Sequence, residues 1–317
     1  MTPFPKLRRE TKHDARHRQL PVLALLLVFA RAFAESPAGP TAQEELRAAK
    51  LLEAALFARH AGADEAGKLE KIYAGLSAKY PRDATVRNAH AEFLWSLGEP
   101  ARAVEMWETA VAIDPKNAVI LDHLATHWLA AGEVKKSASF YARAIESAPE
   151  NAAYRFASAN VTFLFRHELL SPAQPDEAAV LYHALADFAE ASRLAPLNAE
   201  YARAYAETFF SLAKPDWKEA LTAWQHFAEI SPQKDFAQAN LARIHMKLGQ
   251  MDAARTCLDR IQGADFQNLK ARLGKLLESG RSPAPASRQA PTEQPAAAKA
   301  GPDFSKKTGI DEPGEPP

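Results

Sequence analysis

Two stretches of this chain repeat one another at a fixed distance, and that register limits the fold more than any other feature of the sequence. They are AHAEFLWSLGEPARAVEMWETAVAIDPKN, ending at Asn117, and LATHWLAAGEVKKSASFYARAIESAPEN, ending at Asn151. Gly98 falls opposite Gly132, Trp107 opposite Tyr141, Ala110 opposite Ala144 and Pro115 opposite Pro149, each pair 34 residues apart. Extended both ways, the register gives units at about 42–83, 84–117, 118–151, 152–198, 199–234 and 235–268. A small residue stands eighth in the last five: Ala91, Ala125, Ala159, Ala206 and Ala242. A second small residue (Ala103, Ser137, Ala184, Ala220, Ala254) precedes a bulky one (Trp107, Tyr141, Phe188, Trp224, Leu258). Proline closes the units at Pro81, Pro115, Pro149, Pro196 and Pro232. Alanine is common here, so one column alone proves little, but several independent columns in one register are not a product of composition.

Within each unit the spacing predicts two amphipathic helices. Leu121, Leu124, Ala125 and Trp128 recur at helical spacing, Gly132 breaks the pattern, and Val134, Phe140, Tyr141, Ala144 and Ile145 mark a second apolar stripe. The closing proline cannot continue a helical hydrogen-bond ladder. Small residues allow the two axes to approach to about 8–10 Å, and the bulky residue fills the seam to the next unit. A single hairpin cannot bury its own stripe, so such units stack.

The pattern resembles the tetratricopeptide repeat family. The carriers are the small residue in HLATHWLAAG, the glycine at the turn, the small-then-aromatic pair of the second helix, and the DPKN and APEN endings. The resemblance covers about 42–268 and implies an all-α, right-handed α-solenoid of about six helix-turn-helix repeats, with no strand. The first unit lacks the usual small residues, as a capping repeat does, and the last has Phe266 where its proline would stand. Asp265 to Gly280 is expected to form a final helix that caps the apolar end. The unit 152–198 carries thirteen residues too many, placed at 167–179, where Pro172 and Pro175 bar a continuous helix. They are read as a surface loop between two lengthened helices, or as a partner-contacting protrusion.

Outside the repeats, composition sorts the rest. A basic stretch with Lys6, Arg8, Arg9, Lys12, Arg16 and Arg18 leads into LPVLALLLVFA, followed by Ala32-Phe33-Ala34. This is the layout of a cleaved signal peptide over 1–34, with an uncleaved inner-membrane anchor as the alternative. Eleven apolar residues are too few to cross roughly 30 Å of hydrocarbon. The chain as a whole balances 39 basic against 39 acidic residues; after 1–34, 32 and 37 remain, a net charge of −5. That balance gives no electrostatic footprint for nucleic acid or anionic lipid. A short linker, 35–41, precedes the repeats, which run to 279. From 280 to 317 the chain is rich in Pro and Ala with almost no large apolar residue, which predicts a disordered tail.

Chemistry-bearing constellations are absent from the sequence. His123 and His127 share a helix face but lack the further ligands a zinc site needs; His127 is read as packing against the preceding unit and His123 as facing solvent or the groove. Cys257 lies in an apolar stripe and is read as an inert buried thiol. There is no Gly-x-Ser-x-Gly elbow and no glycine-rich phosphate loop. The expectation is a non-enzymatic chain with no metal and no cofactor. In the resembling family, the first helix of each unit lines a concave groove. Carried onto this sequence, that face offers Asn88, Glu92 and Trp95; Asp122, His123 and Thr126; Phe156, Asn160 and Phe163; Arg203, Glu207 and Phe210; and Asn240, Arg243 and Lys247. The family's grip on a chain-terminal carboxylate is not filled: Asn88 stands where a Lys would and Glu92 where an Asn would. With the export signal read at 1–34, the expectation is a scaffold of the bacterial envelope, and the resemblance implies that it binds a peptide or protein segment in this groove. The alternative is a structural subunit of an envelope assembly that uses its convex face, insert or tail.

Overall fold

The structure is a computed structural model, and it describes residues 40–58, 62–170 and 176–279. The segment 1–34 read as a signal peptide, the greater part of the linker and the tail 280–317 lie outside the described residues, as do 171–175 of the insert. The described residues are helical, with no strand among them. They divide into two compact units, and the division falls inside one helix, after His127.

Unit 1 holds α1 (Ala42–Ala58), α2 (Ala63–Lys79), α3 (Ala84–Ser96), α4 (Pro100–Ile113) and the first ten residues of α5 (Ala118–Ala130). Unit 2 continues with α6 (Val134–Ser147), α7 (Ala152–Leu164), α8 (Glu177–Leu194), α9 (Ala199–Thr208), α10 (Trp217–Ile230), α11 (Lys234–Lys247), α12 (Met251–Asp259) and α13 (Gln267–Glu278). Within each unit consecutive helices pack as hairpins, α3 on α4 in the first, and α7 on α8 and α11 on α12 in the second.

Local sequence explains the helix ends. Asp83, Asn151, Asn198 and Asp216 each accept two backbone N–H bonds from the first turn that follows them, for example Ala153 at 2.9 Å and Tyr154 at 3.3 Å for Asn151. These side chains satisfy donors that a helix start otherwise leaves orphaned. The Asn that ends APEN is therefore the cap of the next helix. Gly98, Gly132 and Gly249 take φ of +80°, +80° and +73° at the tight turns, a region open to glycine and strained for other residues. At Gly98 the following Glu99 N–H reaches back to the Leu94 carbonyl at 3.0 Å. Each closing proline stands one residue beyond the C-cap of its helix, as Pro81 follows Tyr80 and Pro149 follows Ala148.

The repeat columns form the core. Ala91, Ala125, Ala159, Ala206 and Ala242 are fully buried, and so are Ala103, Ser137, Ala184, Ala220 and Ala254. Trp107 and Trp224 are fully buried beside them, with Tyr141, Phe188 and Leu258 nearly so. Unit 1 packs Leu46, Leu52, Leu69, Tyr73, Val86 and Phe93 into one cluster. Unit 2 gathers Phe209, Trp224, Phe227, Leu241, Ile244 and Leu258, and α13 closes it with Leu273 and Leu277.

Two expectations need correction. The insert does not lengthen both flanking helices: α7 has 13 residues and α8 has 18. Part of the surplus therefore goes into α8. The final helix begins at Gln267, after a 3-10 turn over Ala264–Phe266, not at Asp265. Asp235 of α11 fixes that turn by accepting from the N–H groups of Gln262 (3.2 Å) and Gly263 (2.6 Å).

Candidate protein-binding face and cleft

In unit 1 the first-helix residues meet one another. Asn88 Nδ2 donates to Glu92 Oε1 at 2.9 Å, and Asn88 Oδ1 accepts from Trp107 Nε1 at 2.9 Å. His123 Nδ1 lies 3.1 Å from the same Asn88 oxygen, so the N–H of the ring sits on Nδ1. Its Nε2 is 3.8 Å from Glu92, whose other oxygen meets Lys50 of α1 at 3.3 Å. Trp95 packs at a tilt against Trp107 at 5.5 Å and meets the edge of His127 at 5.9 Å. Asn88, Asp122 and His123 are 8%, 4% and 4% exposed, and Thr126 is half-buried. His123 thus lies inside the packing, which corrects the expectation that it faces solvent or the groove. Its ring sits 4.8 Å from Trp107, and this contact with Asn88 and Trp107 outweighs hydration. Glu53 of α1, half-buried, accepts from the Tyr73 hydroxyl; burial raises its pKa, with Tyr73 and Lys50 acting in the opposite direction.

In unit 2 the first helices α7, α9 and α11 are joined by their aromatic and basic side chains. Phe156 stacks on Tyr201 at 4.3 Å and meets Phe188 at 5.6 Å. Phe163 also touches Phe188, at 6.4 Å. The Arg203 guanidinium lies 4.8 Å over the Phe236 ring and donates to Glu207 at 2.9 Å. The Arg243 guanidinium lies 4.0 Å over Phe210 and donates to Asn240 Oδ1 at 2.8 Å. Asn160 and Asn240 each donate to the carbonyl four residues back in their own helix, those of Phe156 and Phe236. Asn240 is buried, at 6% exposure, and serves the packing and Arg243.

A cleft of about 720 Å³ opens beside this face, lined by Leu181, Phe210, Leu212, Trp217, Arg243 and Lys247 among others. Its size lies within the roughly 300–1,000 Å³ range of ligand clefts. Phe210 is oriented by Trp217 (5.9 Å) and Trp224 (6.0 Å), and Lys247 lies 5.7 Å over Trp217. Burial lowers the pKa of Arg243, and neighbouring Arg272 acts in the same direction, whereas Glu207 opposes.

Reading first helices alone brings Phe210, Arg243 and Lys247 together correctly but misses Leu181 and Trp217, which come from α8 and α10, and Leu212 of the turn. A signal for them exists in the sequence. The turn SLAKPD is longer than the three-residue connections at Gly98 and Gly132, and the unit 199–234 carries two residues above 34. Among the described residues, no His, Cys, Asp and Glu side chains form a group of three able to hold a metal. No described helix is long and apolar enough to cross a membrane. Cys257 is buried, and burial pushes its thiol pKa up, which disfavours the reactive thiolate.

Helical hairpins in series, with small residues at their close approaches, define an α-helical repeat protein. The family profile described as tetratricopeptide repeat matches residues 211–276, a stretch that carries this type of repeat. Among solved structures, YrrB, described as a TPR protein with an unusual peptide-binding site, is 17% identical with a TM-score of 0.51; the match covers 64% of this chain and 98% of YrrB. PilF of Pseudomonas aeruginosa is 16% identical with a TM-score of 0.49, covering 73% and 99%. At these identities the likeness concerns the fold. No curated protein matches the chain.

Proposed function

We propose that this chain is a non-enzymatic protein–protein interaction scaffold that holds a peptide or protein segment against the first-helix face, anchored in unit 2. One observation carries the reading. The repeat columns are buried, yet Phe156, Phe163, Phe210, Arg203, Arg243 and Lys247, on or just after the same first helices, stay partly exposed, each held by an aromatic neighbour. Aromatic and Arg side chains in such settings tend to supply most of the energy of a protein interface. The tetratricopeptide repeat fold, typically a non-enzymatic scaffold, and YrrB's described peptide-binding site support the same reading. Photo-crosslinking side chains placed at Asn160, Arg203 or Lys247 in the native host should capture a defined partner. Equivalent side chains at Leu197, which is 84% exposed, and at Lys218 should not. Capture only from the latter positions would move the function to the outer face.

The site of action follows from 1–34. We propose export to the periplasm or beyond by a cleaved signal peptide, on the basis of the basic stretch, the apolar run and Ala32-Phe33-Ala34. Mass analysis of the native protein should find Glu35 at its N-terminus. A chain retaining Met1 in the membrane fraction would instead establish the uncleaved anchor.

A further inference from the structure

We infer that the unit 2 cleft binds an extended partner segment through an acidic side chain next to a large apolar one, the carboxylate meeting Arg243 and Lys247. This deepens, and rests on, the scaffold reading above. Arg243 and Lys247 stand four residues apart on α11, so their side chains share one helix face. Both border the cleft. Among the described residues, neither has a carboxylate within 4 Å, and the one hydrogen bond of Arg243 goes to the neutral Asn240. The two carboxylates with a claim on this region are already engaged. Glu177, on the cleft wall, bonds Arg166, and Glu207 bonds Arg203.

A half-buried guanidinium with most of its five donors open and no carboxylate within 4 Å is a costly arrangement, and an incoming carboxylate relieves it. Phe210 holds the guanidinium plane from below at 4.0 Å, which limits its rotamers before any ligand arrives. Apart from Ser211 and the engaged Glu177, the remaining wall is apolar: Leu181, Leu212, Pro215 and Trp217 stand around the same space. A free anion would leave that wall wet. A carboxylate carried beside an aromatic or branched aliphatic side chain uses both parts at once. Charge and apolar surface are thus matched by one ligand chemistry, an acidic-apolar peptide.

The test uses the full chain and an array of fluorescent peptides, amidated at their C-termini, in which Glu or Asp is scanned past a Phe or Leu. Members pairing the acid with the apolar residue should bind, and their Gln or Asn counterparts should bind about tenfold or more weakly, the loss for a charge-assisted hydrogen bond. Arg243→Gln and Lys247→Gln should each lower the affinity of the acidic members by a similar factor while leaving the Gln members unchanged. Lys247→Gln lies on the cleft rim and guards against an unfolded Arg243 variant, and circular dichroism melts check both. Equal binding of acidic and amide peptides, or unchanged affinity in both variants, would sink the proposal. So would a preference for a Gln peptide with a free C-terminal carboxylate. Stronger binding of a synthetic 301–317 peptide would make the chain's own tail the occupant and overturn the assignment to a partner. Crosslinking at Asn160 and Arg203 is read separately, so a scaffold whose cleft is unused remains distinguishable from a chain that binds nothing.

Discussion

Replacing Trp224 with alanine is expected to destabilise unit 2 by about 3–5 kcal/mol, the loss typical of deleting a fully buried indole from a core that only partly collapses. Trp224 is fully buried, and Phe210, Phe227 and Phe236 all lie within 6.0 Å of its ring. One cavity would therefore loosen α10, α11 and the cleft wall together. Its indole N–H finds no acceptor among the described residues. Trp224→Phe should accordingly cost much less, because it keeps a ring and removes a buried donor. Hydrogen exchange followed along the chain reads this directly: protection should fall across 199–279 in Trp224→Ala and stay near wild type in Trp224→Phe. Equal losses in both variants would mean that the volume beyond a phenyl ring, not the ring itself, stabilises the unit.

Asn88→Ala should cost unit 1 about 2–4 kcal/mol, the sum of leaving two buried donors without their acceptor. Asn88 Oδ1 accepts from the Trp107 indole at 2.9 Å and faces His123 Nδ1 at 3.1 Å, in a place where all three side chains are at most 8% exposed. Its amide also orients Glu92. The loss should appear as reduced exchange protection over α3 to the start of α5 and a lower denaturation midpoint. A change below about 0.5 kcal/mol would show that the two donors find other partners. The same variant separates structure from binding, since Asn88 was placed by its position in the repeat on the ligand face, and a binding loss without a stability loss would return it there.

The two tryptophans of one repeat column thus differ through their neighbours. Where Asn88 stands in the unit of Trp107, Arg203 stands in the unit of Trp224. Arg203 turns away to cover Phe236 and pair with Glu207, and the indole of Trp224 is left to aromatic packing. One hairpin geometry accommodates a polar seam in unit 1 and an aromatic one in unit 2, because the backbone spacing is set by the small residues rather than by the bulky ones.

That distinction separates what was legible in the sequence from what was not. Helix type, hairpin turns, helix ends and core columns were determined locally. A glycine at φ +80°, a capping Asn or Asp, a proline past the C-cap and an alanine at each close approach act within a few residues of themselves. Periodicity also placed the candidate residues on the first helices or, for Phe210, in the turn just after one. It could not say which of them would be covered, because an angle on one helix does not reveal the neighbour that arrives there. Packing decided that Asn88, Asp122, His123 and Asn240 are buried while Phe210, Arg243 and Lys247 border an open cleft. Packing also brought Leu181 and Trp217 to that cleft from second helices, across a turn whose length the 34-residue register does not govern. Local chemistry wrote the repeat, and the contacts between helices chose which of its polar and aromatic side chains remain exposed.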